Sequence, residues 1–155
     1  MIKTFVGSAL DVPVGVIVHG CNCQGVMGAG IAKAIKDLYP AAFEIYRTQY
    51  EREGLKLGNI SFIEVSPNKW IVNANTQNTF DRNTRAVSYD AVVDCFEKVV
   101  VLVKTIKERT KASDYLPIIF PKIGAGLGGG DWDIIEKIID KTVPDEMQKH
   151  LYVLP

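Results

Sequence analysis

The stretch "VIVHGCNCQGVMGAGIAKAI" (residues 16–35) decides the fold. It opens on an almost wholly apolar run, the pattern of a strand covered on both faces. It closes on a helix, because Ile31, Ile35 and Leu38 fall at i, i+4 and i+7, along one stripe. Between them lies a glycine-studded polar loop of about ten residues, longer than the tight turn that joins strand to helix in a dinucleotide fingerprint.

Working outward, the same alternation of strand and helix recurs. Ile2 to Val6 and Val14 to Val18 read as β runs, the second central in its sheet. Pro40 suits the first turn of a further helix with the stripe Phe43, Tyr46 and Tyr50. Asn59 to Val65 and Trp70 to Ala74 flank Ser66-Pro67-Asn68-Lys69, a turn between two antiparallel strands. Ser88 is an N-cap for the longest helix, whose apolar face runs from Tyr89 to Ile106 and whose final turn is basic. Leu116 to Phe120 is a buried strand, "KIGAGLGGGDW" is a second glycine-rich loop, Asp131 can cap the next helix, and Leu151 to Leu154 closes the sheet. Helices and strands in this order, with one hairpin, imply an α/β fold: a three-layer α/β/α sandwich around a mixed, mostly parallel sheet, formed by residues 1–155 as a single domain.

Composition narrows the function. Eighteen Lys plus Arg balance eighteen Asp plus Glu, so the chain lacks the field that draws basic proteins to nucleic acid or anionic membranes, and any anion must be held by local geometry. Three cysteines, two of them in Cys21-Asn22-Cys23, do not read as a secreted disulfide framework. With no apolar leader and no membrane-length apolar run, the expected location is cytoplasmic.

Both glycine-rich loops leave the C-terminal end of an apolar strand and enter a helix, the place where open α/β sheets bind ligands. Glycines there permit close approach to backbone N–H groups at a helix start, which suits a phosphate or diphosphate. Two such loops facing one crevice suggest an elongated, multiply phosphorylated ligand. Gly25, Gly28 and Gly30 follow G-x-x-G-x-G rather than G-x-G-x-x-G, and neither loop supplies the Gly-Lys-Ser/Thr of a P-loop.

The segments "HGCNCQGVMGAGIA" (19–32) and "PKIGAGLGGGDW" (121–132), with the order of elements around them, resemble the macrodomains, which bind ADP-ribose. The first is most similar to the branch of ADP-ribose-1''-phosphate phosphatases and the terminal ADP-ribose glycohydrolase. The second resembles the "GGLDW" loop of macrodomains that strip ADP-ribose from DNA. The resemblance implies that Asn22 bonds the distal ribose, wrapped by Gly28, Ala29, Gly30 and Ile31. It implies that Gly124, Ala125, Gly126, Leu127, Gly128 and Gly129 serve the diphosphate, and that adenine lies towards Gly7, Ser8 and Ala9. Ser8 stands where many members carry an aspartate for the adenine amine, and Gln77 where hydrolytic members carry a lysine. Gln77 cannot act as a nucleophile or form a Schiff base.

His19 and Asp131 are the residues left for acid–base work, each with a structural alternative: a core histidine bonded to a carbonyl, and a helix N-cap. Thr76, Asn78 and Asp81 are near in sequence. His19, Cys21 and Cys23 could ligate zinc but lack a second pair, and a cysteine nucleophile lacks an orienting third residue, so neither metal nor cofactor is expected. Arg82 and Arg85 either approach a phosphate or lie in solvent. The reading is an enzyme that binds ADP-ribose and hydrolyses the terminal phosphate of ADP-ribose-1''-phosphate. The alternatives are a reader of free or macromolecule-linked ADP-ribose, and an ADP-ribosyl hydrolase acting on protein or DNA.

Overall fold

The computed structural model describes residues 1–78, 86–126 and 128–155; Asp81, Arg82, Arg85 and Leu127 lie outside them. The described strands are β1 (Ile2–Val6), β2 (Gly15–Asn22), β3 (Ile60–Ser66), β4 (Lys69–Gln77), β5 (Ile118–Phe120) and β6 (Lys149–Val153). The helices are α1 (Gly30–Leu38), α2 (Pro40–Glu53), α3 (Tyr89–Thr110) and α4 (Trp132–Thr142). The strands form one sheet in the order β1-β6-β5-β2-β4-β3, in which only the β3–β4 pair is antiparallel.

The alternation of β2 assigns its two faces. Val16 and Val18 join Phe96, Val99, Ile135 and Ile139 in the core beneath α3 and α4. Ile17 packs with Ile35 and Ala42 beneath α1 and α2, and Cys21 packs with Met27 and Tyr46 on that side. These are the three layers the sequence implied. Val16, Ile17 and Val18 are all fully buried, as a central strand requires.

Strand ends differ from expectation. β2 runs on to Asn22 and β4 to Gln77, past the predicted ends at Val18 and Ala74, because their ladder continues from His19↔Asn73 to Asn22↔Gln77. Polar residues beyond those predicted ends are strand here: His19 and Asn22 find side-chain partners, while Asn75 Oδ1 and Thr76 Oγ1 are buried without one among the described residues. His19 bonds Asn73, and Asn73 in turn donates to the Ala42 carbonyl and the Ser61 hydroxyl. The first glycine loop is therefore shorter than predicted, spanning Cys23 to Ala29. A register shift between Cys21 and Asn22 re-aims the strand end at the edge of that loop. On α1, Ile35 is buried but Leu38 is 62% exposed, so the apolar stripe ends one turn early.

Candidate functional site

The two glycine loops, one after β2 and the other after β5, face each other across a cleft of about 530 Å³ at the C-terminal edge of these adjacent parallel strands. Its lining combines Gly20, Cys21 and Asn22 from β2 with Val26 and 28–32 from the first loop and α1. Gln77 enters from β4, and Pro121 to Gly124, Gly126 and Gly128 complete the wall after β5.

What this lining offers chemically is mostly backbone. Helix α1 has no side-chain cap at Ala29 and no acidic residue in its first turn, whereas α3 and α4 are capped by Ser88 and Asp131. The N–H groups of Gly30, Ile31 and Ala32 find no protein acceptor among the described residues, and all three residues line the cleft. Orphan donors at the positive end of a helix favour an anion. Across the cleft, the N–H groups of Gly124, Gly126 and Gly128 are likewise without an acceptor among the described residues.

The second loop is held in shape from inside. Gly130 N–H donates to the Gly124 carbonyl at 2.7 Å, Gly129 N–H to Gly126 at 3.2 Å, and Ala125 N–H to Lys122 at 3.3 Å, while Gly128 accepts from Ala86 and Val87. The amides of Ala125 and Gly129 are thus spent within the loop and drop out of the predicted set of anion donors. Gly128 must be small: a Cβ there would lie 2.8 Å from the Gly124 carbonyl oxygen and 2.9 Å from Gln77 Oε1. Gly124 adds a positive φ of 73°.

The first loop is braced by α2. Asn22 donates an amide hydrogen to the Val26 carbonyl at 2.9 Å, and its Oδ1 accepts from Gln24 N–H at 2.9 Å. Tyr46, fully buried on α2, directs its hydroxyl at the main-chain oxygen (2.7 Å) and side-chain oxygen (2.9 Å) of Asn22. Burial pushes the Tyr46 phenol well above its ordinary pKa, so it remains a donor. Arg47 adds a bond to the Gly25 carbonyl at 3.2 Å.

The two acid–base candidates are not in this lining. His19 is fully buried, its Nε2 lying 2.6 Å from Asn73 Oδ1. Because both Asn73 amide hydrogens are committed elsewhere, Oδ1 accepts, which places the imidazole proton on Nε2; the Cys21 sulfur lies 3.5 Å from Nε2 and 3.7 Å from Nδ1. Burial lowers the His19 pKa to about 4, the Asn73 bond opposing. This is the core histidine of the two readings. Asp131 is exposed and caps α4, accepting from Asp133 N–H at 2.9 Å. That is the alternative the sequence allowed, and it places the carboxylate outside the cleft wall.

Cys21 does line the cleft, but burial raises its thiol well above the ordinary range, contrary to what a nucleophile needs. Among the described residues no three His, Cys, Asp or Glu side chains converge as a metal site would require. Ser8 caps the short turn at Ala9–Asp11, its hydroxyl accepting from Leu10 N–H at 3.2 Å, and Ala9 is buried; both follow β1 and lie outside this lining. Thr76 is buried within β4, and Asn78 gives its carbonyl to Cys23 N–H and the Gln24 amide.

Asn22, Gly28, Ala29, Gly30, Ile31, Gln77, Gly124, Gly126 and Gly128 are brought together as the sequence placed them. Lys122 was missed. It is the one Lys, Arg, Asp or Glu in the described lining, and it sits inside the glycine-rich segment 121–132.

Residues 18–139 match the model of the Macro domain family. The chain is 31% identical over 134 residues to a DNA ADP-ribosyl glycohydrolase of Mycobacterium tuberculosis, an alignment that takes in 84% of this chain and 35% of that longer protein. It is 26% identical over 157 residues to an ADP-ribose 1''-phosphate phosphatase of Scheffersomyces stipitis, covering 91% and 89% of the two chains. The fold superposes on the solved macrodomain of Mycobacterium tuberculosis DarG with a TM-score of 0.82 at 21% identity, covering 98% and 97%.

Proposed function

Because the chain belongs to the Macro domain family, we propose that this cleft binds ADP-ribose, free or attached to a macromolecule. The observation that carries the reading is the pairing of two sets of backbone N–H groups without an acceptor among the described residues, at the uncapped start of α1 and along Gly124, Gly126 and Gly128, on opposite walls of one cleft. A diphosphate with a sugar on either side suits such walls, its charge met by amides and by Lys122, the cation of the described lining. Asn22, at the distal end, serves the ribose hydroxyls. The name of the mycobacterial relative supports the same ligand class, although this chain spans only about a third of that protein.

A second reading is removal of the terminal phosphate from ADP-ribose-1''-phosphate. It is favoured by the near full-length alignment with the Scheffersomyces stipitis phosphatase and by the α1 N-terminus, which would stabilise charge on a phosphoryl group bound there. The described lining contains no His, Asp or Glu to assign to that step, so binding is the primary reading. Incubating the protein with ADP-ribose-1''-phosphate and measuring inorganic phosphate separates the two. Release at a rate proportional to enzyme supports the phosphatase, and its absence under saturating, demonstrated binding leaves the binder.

A further inference from the structure

We infer that Tyr46 is a positioning residue that anchors the Asn22 side chain to α2, so that the one amide hydrogen of Asn22 left unassigned by the described residues is held in place at the cleft. The inference rests on the binding reading above for its functional consequence, but its structural basis does not depend on a ligand. Asn22 is 8% exposed and its polar capacity is nearly all assigned: Oδ1 takes Gln24 N–H and the Tyr46 hydroxyl, and one amide hydrogen goes to the Val26 carbonyl. The second amide hydrogen is what remains. A group with only a hydrogen to give will bond the oxygen of a sugar hydroxyl or phosphate and will not accept from one.

Gln24 and Val26 belong to the loop itself and move with it, whereas Tyr46 comes from α2. Its ring is fully buried between the sheet and the loop, in one cluster with Met27 and Cys21 and with Phe43 packed against it. The single hydroxyl hydrogen, shared between the two oxygens of Asn22, ties the end of β2 and the orientation of its amide to a rigid helix. The register shift between Cys21 and Asn22 makes this anchor necessary, since Asn22 pairs with Gln77 and not with the next residue of an unbroken ladder. Gln24 N–H and the Val26 carbonyl set which end of the amide is which, and the phenol is the contact that holds that side chain to α2.

The test is Tyr46→Phe, which keeps the ring and removes only the hydroxyl, read in the ligand-free protein by the side-chain amide proton signals of Asn22. In wild type these should be two well-separated resonances, one of them slow to exchange because it is bonded to Val26. In Tyr46→Phe they should move together and exchange at least several-fold faster, with the fold intact by circular dichroism. Titration with ADP-ribose should shift the unbonded wild-type resonance selectively. The variant should bind ADP-ribose on the order of tenfold more weakly, while AMP, which lacks the distal ribose, should lose nothing. Asn22→Asp, which has no amide hydrogen, should lose more affinity than Asn22→Ala. Unchanged Asn22 signals in Tyr46→Phe would overturn the inference, as would equal losses for ADP-ribose and AMP. Absence of any ADP-ribose binding by wild type would instead defeat the binding reading and leave the ligand-free comparison to decide the role of Tyr46.

Discussion

The environment of His19 makes a prediction that can be followed quantitatively. Its imidazole is neutral in the fold because burial, only partly offset by the Asn73 bond, lowers its pKa from 6.5 to about 4. In the unfolded chain it titrates near 6.5. Between these values the unfolded state binds a proton that the native state does not, so the contribution to stability is complete above pH 6.5 and is lost as pH falls towards 4. At about 1.4 kcal/mol per unit, a difference of about 2.5 units is worth roughly 3 kcal/mol, which is of the order of a third of the stability of a typical domain. Urea unfolding at closely spaced pH values between 7 and 4 would measure it, with His19→Gln as the reference, since glutamine can still donate to Asn73 and has no titration. The difference between the two proteins should shrink by about 3 kcal/mol on acidification, and ADP-ribose affinity at pH 7 should be alike in both. Parallel pH profiles would show that His19 is not held neutral by burial. Loss of ligand binding or of phosphate release in a stably folded His19→Gln protein would return the residue to the cleft.

Four substitutions probe the site and its frame. Asn22→Ala should weaken ADP-ribose binding by about 1–3 kcal/mol, the cost of leaving buried polar groups unpartnered, measured by calorimetry beside a thermal melt that confirms folding. In Gly128→Ala the new Cβ would press on the Gly124 carbonyl and Gln77, so the amide wall should shift and ADP-ribose binding fall at least tenfold; a structure of the variant with an unmoved loop would refute the packing argument. Lys122→Gln should lower affinity and flatten the dependence of Kd on salt concentration, because it removes the charged side chain of the lining; an unchanged salt slope would place its ammonium away from the phosphates. Asp131→Ala should cost about 1 kcal/mol of stability, as the loss of an N-cap does, with ligand affinity unaltered; a large binding defect would contradict its placement outside the cleft.

The layers were legible because the apolar patterning is strong where burial is complete. Val16 to Val18 read as a central strand, and the stripe from Tyr89 to Ile106 read as the helix that covers it. Both glycine loops were placed at strand ends for the same reason, and they meet across one cleft because β2 and β5 are neighbours in the sheet. What the sequence obscured were groups whose role is set by partners far along the chain. His19 is polar and stands at the head of a ligand-like motif, yet Asn73, 54 residues away, satisfies it inside the core. Tyr46 looks like one more apolar position on its helix, and only the fold brings its hydroxyl to Asn22, 24 residues earlier. The extra length of β2 and β4 was hidden likewise, since Asn22 and Asn75 bond inside the structure and read as loop residues without it.

The central claim is that the two amide walls and Asn22 together hold both halves of ADP-ribose. Calorimetric titration of the wild-type protein with ADP-ribose, set beside AMP under identical buffer, tests it most directly. One-site binding in the micromolar range, about −8 kcal/mol, with AMP much weaker because it leaves the α1 wall and Asn22 unused, is the expected result. Equal affinity for the two ligands, or no heat of binding for ADP-ribose at millimolar concentration, would contradict it.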